Sequence, residues 1–97
     1  MSKSKRPVAE AKRGTSVQRV QTGVKLEKRI LLVLKALAGS LDLTLGDLLE
    51  GIILHAFDGK TPFSAATLAK VRALRGVYGL DLTAADSHRL IDTDSER

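Results

Sequence analysis

The sequence predicts a mainly α fold. One N-terminal β-strand pairs with its mate in a homodimer, two core helices follow, and one or two C-terminal helices complete the chain. Three observations predict it: an alternating segment at residues 19–26, helical apolar spacing from residue 28 onward, and positive charge gathered in the first third.

The chain has 97 residues, room for one small domain. Apolar residues make up 43% and aromatic ones 3%, so the core must be aliphatic. Without cysteine there is no disulfide framework and no thiolate metal site, which suits a reducing cytoplasm. The net charge is +5, but residues 1–29 carry nine Lys/Arg against two Glu, a net +7, and residues 30–97 carry seven against nine acidic residues, a net −2. A basic arm before a near-neutral body is the electrostatic footprint of a nucleic-acid binder; a solvated tail is the alternative.

Residues 1–15 hold almost no large apolar side chains to offset their ordering entropy and read as a flexible basic arm. Its Lys3, Lys5, Arg6, Lys12 and Arg13 suit phosphate tracking or minor-groove entry. No apolar stretch follows the basic start, so no secretory signal is expected. The greasiest stretch, Ile30 to Phe57, is broken by Lys35, Asp42, Asp47 and Glu50 and lacks the ~20 apolar residues of a membrane span. A soluble cytoplasmic protein with no membrane partner is expected.

From Arg19 the pattern alternates. Val20, Thr22, Val24 and Leu26 point one way; Arg19, Gln21, Gly23 and Lys25 point the other. Period two with β-branched residues argues for a strand. No second strand of comparable quality follows, and a lone strand leaves its backbone groups unpaired. Pairing with the same strand of another copy is the simplest remedy, so the strand itself predicts a homodimer.

From about Lys28 to Leu41, Ile30, Leu34, Leu37, Ala38 and Leu41 form a helical stripe. Leu32, Val33 and Ala36 occupy other faces, so this helix is buried on more than one side. Thr44 is a good N-cap, and Asp47 three residues on nearly completes a capping box. The helix it opens runs to about Phe57, with Leu45, Leu48, Leu49, Ile52, Ile53 and Ala56 as its stripe, and ends at Asp58-Gly59 before Pro62. Ser64 begins a third helix, on which Leu68, Val71, Leu74 and Tyr78 share a face. With Phe63 they are expected to cover the extra apolar face of the first helix; a surface reserved for a partner is the alternative. Thr83 and Asp86 signal a short helix over 84–90. The divisions are thus the arm, 1–15; a core, 16–58; and a C-terminal helical extension with a frayed end, 59–97.

One strand followed at once by two amphipathic helices resembles the ribbon-helix-helix family of small repressors and antitoxins, which includes Arc and the methionine repressor, over about residues 19–57. The resemblance implies an antiparallel two-stranded ribbon in the major groove, ~12 Å wide. It places base reading on Gln21, Gly23 and Lys25, with Arg19 near the ribbon end. Arg and Lys donate to guanine and Gln pairs with adenine. Gly23 departs from the family pattern: it permits close backbone approach, leaves specificity to its neighbours, or marks a bulge that shifts the register. The family's phosphate anchor falls on Thr44 and the Leu45 and Gly46 amides, with Lys28 adding charge; the other reading of Thr44 and Asp47 is capping alone. The dimer core would be Val20, Thr22, Val24, Leu26, Leu34, Leu48 and Ile52.

His55 and His88 are too isolated for a metal or catalytic pair, and the aspartates match no calcium loop. No enzyme, metal or cofactor is expected. The function expected is sequence-specific binding of double-stranded DNA by a homodimeric repressor, assembling further on DNA or not. The alternatives are an antitoxin with a toxin or other protein partner, a plasmid-partition component, and a helical oligomerisation module whose basic tail binds nucleic acid without sequence choice.

Overall fold

The computed structural model describes residues 14–93. Helix α1 spans Lys28–Ser40, α2 Leu45–Phe57 and α3 Ala65–Tyr78, with a 3₁₀ turn at Ala84–Asp86. Each helix starts where a side chain caps it. Glu27 accepts from the Ile30 N–H at 3.0 Å, Thr44 from the Asp47 N–H at 3.1 Å, and Ser64 from the Thr67 N–H at 3.1 Å. These bonds satisfy amides that have no partner inside the first turn.

Each helix also ends alike. The Leu43 N–H donates to the Ala38 carbonyl, Lys60 N–H to His55, and Leu80 N–H to Arg75. The residue before each donor is left-handed: Asp42 (φ 61°), Gly59 (φ 70°) and Gly79 (φ 64°). This is the Schellman closure, which tucks the chain back under the last turn. It turns the chain sharply enough for α2 and α3 both to lie on α1.

The core is small and centres on α1. Leu37, Ala38 and Leu48 are buried together, and Val33 is buried on α1 as well. Leu34, Leu41, Ile52, Phe63, Val71 and Leu74 close around the cluster as half-buried neighbours. Helix α1 meets α3 more extensively than it meets α2. Phe63, Val71 and Leu74 of the C-terminal segment pack against Leu37, Ala38 and Leu48, so the extension is part of the core.

The predicted strand does not form. Among the described residues there is no β-strand, and residues 14–26 run as an exposed irregular segment. No backbone hydrogen bond joins residues 14–26 to another described segment. A strand exists only through a neighbouring row of backbone partners, and the single chain supplies none. The ribbon-helix-helix fold is thereby corrected to a three-helix body preceded by an extended segment. Val20, Thr22, Val24 and Leu26, expected in a dimer core, are exposed in the chain. The expected short helix over 84–90 contracts to the 3₁₀ turn, since His88 takes φ 66°, outside any right-handed helix.

Candidate nucleic-acid interface

The residues singled out for contact with nucleic acid divide by location. Lys3, Lys5, Arg6, Lys12 and Arg13 lie outside the described residues. Arg19, Gln21, Gly23 and Lys25 lie on the exposed segment ahead of α1, Lys28 is exposed at the first turn of α1, and Thr44, Leu45 and Gly46 form the start of α2.

Arg19 does not point freely outward. Its Nε donates to Glu50 Oε2 at 2.8 Å and its terminal nitrogen to Glu50 Oε1 at 2.7 Å, with Asp47 Oδ1 at 3.6 Å. The fork-to-fork geometry is the strongest an exposed pair adopts. The Glu50 hydrogen bond, then its charge, raise the Arg19 guanidinium further above its ordinary value, against slight desolvation and with help from Asp47. Conversely, the hydrogen bond from Arg19 holds the Glu50 carboxyl below the usual range. Lys25 is likewise engaged, its ammonium 3.3 Å from Asp92 Oδ2. Gln21 is exposed, and a Cβ added at Gly23 would meet open space.

At the start of α2 the Thr44 hydroxyl is spent on the Asp47 amide, while Leu45 and Gly46 occupy the first turn, where amides have no helical acceptor. Asp47 completes no capping box; its carboxylate faces Arg19 instead. His55 is exposed and its Nδ1 lies 2.7 Å from the Gly51 carbonyl. Among the described residues, no group of three His, Cys, Asp or Glu side chains could hold a metal ion, and no helix is long and apolar enough to cross a membrane.

Large apolar side chains are also exposed on both elements. Val17, Val20 and Val24 on the segment and Ile53, Leu54 and Phe57 on α2 are all exposed, Val20 at 76% and Phe57 at 80%. Val17, Arg19, Glu50, Ile53 and Leu54 line one open groove between segment and helix.

Three partners were not legible from local pattern. Glu50 and Asp92 stand 31 and 67 positions from the cations they meet, beyond any sequence periodicity. Arg29 is the third. It binds Glu27 at 3.0 Å, the Gly79 carbonyl at 2.9 Å and Asp81 at 3.1 Å, joining the start of α1 to the end of α3. No protein-family model matches the chain, and neither a curated protein nor a solved structure is found similar to it.

Proposed function

We propose that the chain binds double-stranded DNA as a homodimer, through its basic N-terminal segment carried on the three-helix body, and represses transcription in the cytoplasm. The observation that carries the reading is the concentration of charge: a net +7 over residues 1–29, part of it on an exposed extended segment that also offers Gln21 and Lys25. Lys and Arg neutralise phosphates, and Gln and Lys are side chains that read base edges. The dimer reading is supported by the exposed Val20, Val24, Ile53, Leu54 and Phe57, large apolar side chains that a second copy would cover. Burial of each against a second copy stabilises by about 1.5–3 kcal/mol at most.

Selection from a random duplex pool, followed by anisotropy titration, tests the reading. Binding should weaken steeply with salt. Replacing Gln21 and Lys25 together by Ala should erase preference for the selected site, at ~1–3 kcal/mol per good base contact. A uniform loss across all duplexes would leave only non-specific binding, and salt-insensitive or absent binding would remove the DNA reading. Sedimentation that shows a monomer at every concentration would remove the dimer.

A further inference from the structure

The described part of the basic segment is neutralised from within. Arg19 is held in a two-pronged pair by Glu50, with Asp47 beside it, and Lys25 meets Asp92. The acidic partners come from two different places, the exposed face of α2 and the C-terminal end. Both cations belong to the run expected to meet nucleic acid.

We propose that these carboxylates are a built-in competitor for phosphate: in the free protein they occupy Arg19 and Lys25, and DNA must displace them to engage the segment. The proposal rests on the DNA-binding reading above. Its physical basis is exchange. A carboxylate and a phosphate oxygen both accept from the same guanidinium fork, so the two contacts exclude one another. Displacement leaves Glu50 and Asp47 uncompensated beside the phosphate backbone, which opposes the complex. The internal pair is exposed and therefore weak enough to be exchanged. The device lowers affinity for any duplex in which the full set of contacts is not made, and so restrains non-specific binding.

The experiment measures binding of the full chain to a fluorescein-labelled mixed-sequence duplex between about 50 and 200 mM salt. Glu50→Gln keeps the shape of the side chain and removes its charge; Asp92→Asn does the same at the second pair. Asp58→Asn is the charge-matched control: it removes one negative charge at the C-cap of α2, about two turns beyond Glu50, from a side chain in none of the ion pairs among the described residues. Glu50→Gln should bind about two- to fivefold more tightly than Asp58→Asn, the scale of one exposed pair released. Its affinity should also fall more steeply with salt, by up to about 0.9 in logarithmic slope for one further phosphate contact. Asp92→Asn should shift in the same direction by less. Equal affinities and equal slopes for Glu50→Gln and Asp58→Asn would overturn the proposal while leaving DNA binding intact. No binding by any of the proteins at low salt would overturn the DNA reading and this inference with it.

Discussion

Glu27 shows how much one side chain can organise. It caps α1 through the Ile30 amide and receives the Arg29 guanidinium, while Arg29 reaches on to Gly79 and Asp81. Burial pushes the Glu27 carboxyl up, but the hydrogen bonds from Ile30 and Arg29 and the charge of Arg29 outweigh it and leave the group below its ordinary value. A carboxyl depressed on folding contributes stability that is fully present above its unfolded value, near ~4.3, and lost as pH falls through the folded value. Glu27→Gln should therefore melt at lower temperature than wild type at pH 7, losing part of a cap's usual ~1 kcal/mol. The gap should close below about pH 4; an unchanged gap in melts from pH 7 to 3 would refute the charge's role. Local chemistry of this size was partly legible in the sequence. Thr44 and Ser64 announce themselves because a cap acts over three residues. Glu27 did not, because glutamate is a poor capping residue by type and succeeds here with the help of Arg29.

At the scale of elements the three helix ends make a natural comparison. Gly59 and Gly79 adopt the left-handed conformation without a Cβ to object, whereas Asp42 pays for it at φ 61°. Asp42→Gly should raise stability by about 0.5 kcal/mol, the backbone strain relieved exceeding glycine's extra unfolded freedom, or roughly two to four degrees in Tm. A lower melting temperature would mean that the Asp42 side chain stabilises the turn. The same scale explains what the sequence concealed. The three helices coincide with the periodic segments because a helix closes its hydrogen bonds within four residues and its apolar stripe is written locally. Alternation at Val20, Thr22, Val24 and Leu26 records only which side chains share a side; pairing needs a distant partner that the pattern does not contain.

For the whole molecule the decisive quantity is how little is buried. Among the described residues, Val33, Leu37, Ala38 and Leu48 are the buried apolar side chains, and two of the residues packed against Leu37, Ala38 and Leu48, Val71 and Leu74, come from α3. A chain ending after residue 60 should consequently lose its cooperative thermal transition; a truncated protein as stable as the full chain would show that α3 is dispensable. The clasp of Arg29 on Gly79 and Asp81, with Lys25 on Asp92, brings the entry to α1 and the exit from α3 to one side of the body. Chain order is then incidental to the packing. The helices could be recut as a circular permutant, joined across those neighbouring ends and opened at the exposed Gly59–Lys60 turn, with the same three helices around Leu37.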